Sequence, residues 1–254
     1  MLEIKGLSKY FGGLAAVNEF DLNINKGELV GLIGPNGAGK TTTFNLVTGF
    51  LRPTRGKIML EGNDIVGRKP HSVAEKGMVR TFQATSIFRN FTVLQNIVAA
   101  SHLNPKVVFW EAALHTSSSR KQDEHILSQS LEIIRFMGLE GVKDTPAKSL
   151  PHGHKRILGI AIALAAEPKL LLLDEPLSGM NAEEVSETVG LIKRIWQRGI
   201  TILLIEHNMR ATMSLCQRIV VLNFGKKIAE GSPEEIKRNS EVIRAYLGTS
   251  KYAT

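Results

Sequence analysis

The sequence predicts an α/β fold: a largely parallel sheet carrying a phosphate-binding loop, with an N-terminal β region and a mostly helical insertion at roughly 84–160. Three observations carry that expectation. The runs Leu29-Val30-Gly31-Leu32-Ile33, Leu170-Leu171-Leu172-Leu173 and Ile200-Thr201-Ile202-Leu203-Leu204-Ile205 are short and apolar, as suits strands buried on both faces of a parallel sheet. The first run leads directly into Gly34-Pro35-Asn36-Gly37-Ala38-Gly39-Lys40-Thr41 and then Thr42-Thr43-Phe44-Asn45-Leu46-Val47, the order strand, glycine loop, helix. Near Arg89 the texture changes, and helical patterning replaces the strands.

The glycine loop matches G-x-x-x-x-G-K-[ST], and its physical sense is an anion cradle. Glycines let the backbone fold so that N–H groups converge on a polyphosphate, and the helix start adds a favourable field. Lys40 then reaches the β- and γ-phosphates, and the Thr41 hydroxyl faces Mg²⁺. The expected ligand is a nucleoside triphosphate with its magnesium; a glycine-rich turn of purely structural meaning is the alternative.

The other elements follow in order. Residues 2–25 read as short strands around a turn at Lys9-Tyr10-Phe11-Gly12-Gly13, and Gly56 to Gly62 bound another strand. Thr92-Val93-Leu94-Gln95 has capping-box spacing, which starts a helix at Asn96-Ile97-Val98. Residues 104–123, with Ser117-Ser118-Ser119, are expected to form a loop with one helical turn near Trp110. A helix from about Arg120 carries Leu127, Leu131 and Ile134 on one face and stops at Gly138. Further helices are expected over 150–166 and 183–198, and a hairpin joins Ile219–Leu222 to Lys227–Glu230.

Composition bounds the class. With 254 residues, 43% hydrophobic and 22% charged, the chain buries an ordinary globular core. No run approaches a membrane span, and Met1-Leu2-Glu3-Ile4-Lys5 does not read as a signal peptide. The single cysteine, Cys216, lies in an apolar stretch, excludes an intramolecular disulfide and is expected to be an inert buried thiol. The formal charge of +8 suits anionic partners in general, yet 6% aromatics and no long basic run argue against a single-strand stacking platform.

Asp174-Glu175 supplies the second half of the site. A carboxylate at the end of a buried strand can orient Mg²⁺, and the next carboxylate, Glu175, can polarise a water for in-line attack.

With these residues together, the chain resembles the ATP-binding subunit of an ABC transporter over nearly its whole length. Arg80-Thr81-Phe82-Gln83 resembles the family's Q-loop, Leu150-Pro151-His152-Gly153-His154 stands at the signature, Ser178-Gly179-Met180-Asn181 at the D-loop and Glu206-His207 at the switch histidine. The resemblance implies a single ABC-type domain, with a nucleotide-binding core at 1–83 and 161–254 and an inserted helical subdomain at 84–160. It implies ATP hydrolysis by Glu175, His207 and Gln83, and magnesium at Thr41, Gln83 and Asp174. Nucleotide contacts are expected from residues 34–42 (Gly34 to Thr42), Asn181 and an aromatic, Phe11 or its neighbour Tyr10, against adenine. The signature departs from the common Leu-Ser-Gly-Gly-Gln. Pro151 offers neither hydroxyl nor N–H, so either His152 or His154 donates to phosphate, or the amides around Gly153 suffice.

Within the family the likeness is nearest to subunits of branched-chain amino-acid uptake, through Arg80-Thr81-Phe82-Gln83, Ile87-Phe88, Phe91-Thr92-Val93, Gly179-Met180-Asn181 and Val242-Ile243-Arg244-Ala245-Tyr246-Leu247-Gly248. Systems for lipopolysaccharide export or urea and amide uptake share much of this. The implied partners are integral membrane permease subunits, a second ATP-binding subunit (this chain or a paralogue) and, indirectly, a solute-binding protein, at the cytoplasmic face of the inner membrane. A nucleic-acid or ribosome-associated ABC ATPase, a small-molecule kinase and a slow regulatory subunit are the competing readings; no nucleic acid is expected.

Overall fold

The computed structural model describes residues 1–81, 87–102 and 117–247. A six-stranded sheet forms the centre, in the order β10-β9-β3-β8-β7-β6: Lys226–Gly231, Arg218–Asn223, Leu29–Ile33, Thr201–Ile205, Leu170–Asp174 and Met78–Arg80. Neighbours from β9 to β6 pair in parallel, and β10 closes the edge as an antiparallel hairpin with β9. Alternate side chains of the central strands enter two different cores. Leu29, Ile33, Leu171, Leu173, Ile202 and Leu204 face one, while Val30, Leu32, Leu170, Leu172, Leu203 and Ile205 face the other. Burial on both faces is why these strands read as unbroken apolar runs, each large side chain contributing roughly 1.5–3 kcal/mol.

The second sheet, ordered β2-β1-β4-β5, is antiparallel: β1 is Leu2–Phe11, β2 Leu14–Ile24, β4 Arg55–Leu60 and β5 Asn63–Asp64. Its first two strands are longer than the short ones expected from sequence. Lys9, Tyr10 and Phe11 pair with Val17, Ala15 and Leu14, so the turn contracts to Gly12-Gly13. Phe20 and Phe44 are fully buried between this sheet and the larger one.

Helix α1, Lys40–Val47, follows β3, and α2, Pro70–Glu75, precedes β6. Helices α3 (Val93–His102), α4 (Ser117–Phe136) and α5 (His152–Ala165) pack on one another beside the sheet. The Thr92 capping box forms: Gln95 N–H donates to Thr92 Oγ1 at 3.1 Å, and Thr92 N–H to Gln95 Oε1 at 2.9 Å. Two expectations are corrected. Ser117 to Ser119 belong to α4 rather than to a loop, and the buried face of α4 is Ile126, Ser130 and Ile134, with Leu127 44% and Leu131 36% exposed. Leu127 and Leu131 lie one position out of register with that face. The helical turn expected near Trp110 lies outside the described residues. Gly138, at φ +70°, ends the helix as expected. The chain finishes with α6 (Ala182–Gln197), α7 (Met209–Leu215), α8 (Pro233–Arg238) and α9 (Ser240–Leu247). Cys216 is buried against Gly31, and burial pushes its thiol up to about 12, which keeps it protonated and unreactive. No helix among the described residues is long and apolar enough to cross a membrane.

Candidate functional site

Strand β3 delivers the glycine loop to the C-terminal edge of the sheet, where ligands of open α/β folds bind. Two glycines are sterically required there. A Cβ at Gly34 would lie 2.2 Å from Leu222 O, and one at Gly39, φ +102°, 2.4 Å from Ala16 O. The loop is thereby clamped between β9 and β2, with Asn36 and Gly37 open to solvent and Ala38 buried. Gly39 caps α1 without a side chain, leaving first-turn amides for an anion. Lys40 is buried, and its ammonium donates to Gly34 O at 2.7 Å and Pro35 O at 2.9 Å. Burial lowers its pKa, with Glu175 and Asp174 pulling the other way. Thr41, next on α1, is exposed and Thr42 half-buried.

Strand β7 ends in buried Asp174, and the chain turns at Glu175 through a left-handed backbone, φ +48°. Glu175 N–H is held by Ile205 O at 2.9 Å. Its Oε1 meets His207 Nε2 at 2.6 Å, so the carboxylate and imidazole singled out in the sequence do come together. Buried Glu206, not among the sequence candidates, builds the turn that aims His207: it accepts from Leu177 N–H at 2.7 Å, His207 N–H at 2.9 Å and Asn208 N–H at 3.2 Å. A charged residue closing an apolar strand was the available signal.

Two further groups, Arg80 and Tyr246, stand in motifs quoted from the sequence but were given no role of their own there. Arg80 Nη2 donates to Asp174 Oδ2 at 2.6 Å and Nη1 to Asn45 Oδ1 at 2.6 Å. The Tyr246 phenol shares a hydrogen bond with the Gly34 backbone, bringing the C-terminal helix to the phosphate loop, while burial raises its pKa to about 12. Gln83 lies outside the described residues.

Pro151 N-caps α5 with no side-chain bond, and the helix then runs through His152, buried Gly153 and half-buried His154. These residues touch the D-loop and the helix that follows it. The His152 ring packs over Gly179, where an added Cβ would meet Cε1 at 2.9 Å, and Gly153 abuts Glu184. Asn181 caps α6, its Oδ1 accepting from Glu183 and Glu184 N–H, each at 3.0 Å. Phe11 is 48% exposed at the tip of the hairpin, while the Tyr10 hydroxyl is engaged by Asn18 Oδ1 at 3.1 Å. Chemically, the arrangement offers an anion cradle with a cation, an oxygen ligand pair for a hard metal, and a carboxylate backed by an imidazole.

Comparison with known proteins agrees with this chemistry. The ABC transporter family model matches residues 17–178, and a second one, branched-chain amino acid ATP-binding cassette transporter, matches residues 226–252. The chain is 39% identical to the high-affinity branched-chain amino acid transport ATP-binding protein BraF of Pseudomonas aeruginosa, and 41% to LivG of Escherichia coli K12, with 98% of each chain covered. It is 36% identical to the lipopolysaccharide export system ATP-binding protein LptB of Haemophilus influenzae, covering 98% of this chain and 97% of that one. Among solved structures, a nucleotide-free ATP-binding cassette from an ABC transporter superposes with TM-score 0.84 at 30% identity, covering 97% of this chain and 98% of that one. A cassette in its ADP conformation superposes with TM-score 0.85 at 28% identity, covering 98% of both.

Proposed function

The chain belongs to the ABC transporter family, and from that premise we propose that it hydrolyses ATP to power uptake of branched-chain or related amino acids through separate membrane permease subunits. The carrying observation is the pairing of Glu175 with His207 at 2.6 Å, beside the strand edge where the Lys40 loop turns. The likeness to BraF and LivG supports the substrate class. A second reading, lipopolysaccharide export, has the likeness to LptB behind it.

The mechanism follows from the residues. Lys40 exchanges its two neutral carbonyl partners for phosphate oxygens, whose negative charge adds direct Coulomb attraction to the hydrogen bonds. Thr41 and Asp174 fit magnesium by donor chemistry: a hydroxyl and a carboxylate, hard oxygen ligands, are what a cation that keeps most of its waters needs from a protein. Magnesium held by Thr41 and Asp174 would supply charge neutralisation on the triphosphate. Glu175 takes a proton from the attacking water as the water oxygen bonds the γ-phosphorus and the bond to ADP breaks. His207 holds the Glu175 carboxylate and reaches toward the γ-phosphate. Gln83 is assigned to the metal and the attacking water, and Phe11 to the adenine face.

Pro151, His152, Gly153 and His154 are assigned to ATP held by a second ATP-binding subunit, through the uncapped first turn of α5. The two subunits pair head to tail about a two-fold axis, with Asn181 at the crossing. Residues 84–160 act as the inserted subdomain. The groove of about 810 Å³ between it and the core, lined by His71, Lys76, Phe88, Asn96 and Ala100, receives a helix of the permease. The protein thus works at the cytoplasmic face of the membrane, with a solute-binding protein acting on the far side.

The test is the solution mass of Glu175→Gln with and without ATP and Mg²⁺. A shift from monomer to dimer on adding both is expected. An ATP-bound chain that stays monomeric would refute self-pairing and point to a paralogue.

A further inference from the structure

We propose that Arg80 is a positioning residue for the metal that accompanies ATP: a strut between the two elements that carry Thr41 and Asp174. The inference rests on the assignment of those two side chains as magnesium ligands.

One guanidinium spans both elements. Its Nη2 holds Asp174 Oδ2 at 2.6 Å on β7, and its Nη1 holds Asn45 Oδ1 at 2.6 Å on α1. Asn45 lies four residues after Thr41, one helical turn along the same face of α1. Arg80 therefore links the helix bearing one ligand to the strand bearing the other. With Oδ2 committed, Asp174 Oδ1 has no hydrogen-bond partner among the described residues and is the oxygen assigned to the metal. The preceding strand also fixes the Asp174 backbone, whose N–H donates to Thr81 Oγ1 at 3.2 Å. Residues that orient a metal ligand in this way commonly change metal affinity 10–100-fold.

The side chain is only 10% exposed, its carbon lies 5.6 Å from the Phe44 ring centroid, and its Nε has no hydrogen-bond partner among the described residues. Replacing both members of a buried ion pair by apolar side chains is often neutral, so such a pair is weak evidence of a stabilising role. Here the buried cation reaches two different elements through its terminal nitrogens, while its Nε finds no hydrogen-bond partner among the described residues. Planar, divergent donors are needed for that span, which a single ammonium does not supply. Charge and geometry also pull in opposite directions: a cation beside a cation site repels the metal, whereas a strut strengthens its binding.

That opposition makes the test decisive. In the full-length chain carrying Glu175→Gln, ATP affinity is measured by titration in EDTA and again in excess Mg²⁺, and the ratio gives the metal's contribution. Mn²⁺ replaces Mg²⁺ in a parallel series, read by its electron paramagnetic resonance spectrum. Arg80→Met and Asn45→Ala are each expected to lower the ratio about tenfold, leave affinity in EDTA unchanged and alter the Mn²⁺ spectrum. Arg80→Lys, which keeps the charge, is expected not to restore it. Asn45→Ala leaves the ion pair intact, so the proposal stays testable should Arg80 variants fold poorly. An unchanged or raised ratio, or rescue by Arg80→Lys, overturns the strut. Thr41→Ala separates the two levels: if it lowers the ratio while Arg80 and Asn45 variants do not, only the strut fails. If Thr41→Ala is itself silent, the magnesium assignment and the strut fall together.

Discussion

Glu175 is held at φ +48°, a conformation that costs a non-glycine residue about 1–3 kcal/mol, and its carboxylate meets His207 at 2.6 Å. Glu19, Glu61, Glu167 and Phe224 share that backbone region, so what singles out Glu175 is the paired imidazole. His207→Ala should lower kcat for ATP hydrolysis about a hundredfold while ATP affinity is unchanged, read by phosphate release and by equilibrium binding. Loss of binding in parallel with kcat would instead make His207 a nucleotide ligand alone. The residues with recognisable chemistry, Lys40, Thr41, Asp174, Glu175 and His207, were legible because each closes a strand or opens a helix at a recurring spacing. Arg80, Asn45 and Tyr246 were not, since their partners lie 94, 35 and more than 200 residues away in the chain.

At the scale of elements, two clamps hold neighbouring strands and helices together. Arg218 on β9 donates to Glu28 Oε1 at 3.1 Å and Oε2 at 2.9 Å, to Asn23 O at 2.6 Å and to Glu230, tying β2, β3 and β10. Burial alone would raise the Glu28 pKa; the Arg218 hydrogen bonds and charge, with Asn25 N–H, outweigh it and leave it below its ordinary 4.5. A carboxylate depressed in the fold stabilises above its unfolded value and loses that contribution as pH falls through the folded one. Glu28→Gln should therefore cost about 2 kcal/mol at pH 7, with the gap to wild type narrowing below pH 4.5, in denaturant melts across pH. A gap independent of pH would show that the clamp acts by packing. The second clamp joins α5 to α6. A Cβ at Gly153 would lie 2.5 Å from Glu184 Oε1, and the Glu184 carboxylate caps Asn181 N–H at 2.9 Å. Gly153→Ala should cost roughly 1 kcal/mol by undoing this capping box. In a Glu184→Ala background the same change should cost little, by thermal melting of the double-mutant cycle.

For the whole molecule, the proposed coupling of ATP chemistry to transport runs through the groove between helices and core, assigned above to a permease helix. Phe88 is 53% exposed on its wall and tilts against Phe91 at 5.1 Å, an exposed apolar pair. Phe88→Ser should reduce transport by the reassembled system at least tenfold and leave ATP binding by the isolated subunit unchanged. Transport at the wild-type level would move the permease contact elsewhere. The formal charge of +8 fits a chain that works beside polyphosphate and an anionic bilayer, and adds nothing to the choice of transported solute.

Sequence alone was enough for the α/β class, the parallel core strands, the phosphate loop and the family, because each rests on local chemistry. A doubly buried strand must be apolar along its length, and a cradle for phosphate must be glycine-rich before a helix. Only the tertiary structure decided what those pieces do to one another. It lengthened the first hairpin by cross-strand pairing, turned α4 so that Ile126, Ser130 and Ile134 face inward, and committed Asn181 to a cap. It also brought Arg80 between Asn45 and Asp174. The reason is physical: hydrogen bonds and packing between residues far apart in the chain depend on crossing angles and register, and a linear pattern encodes neither.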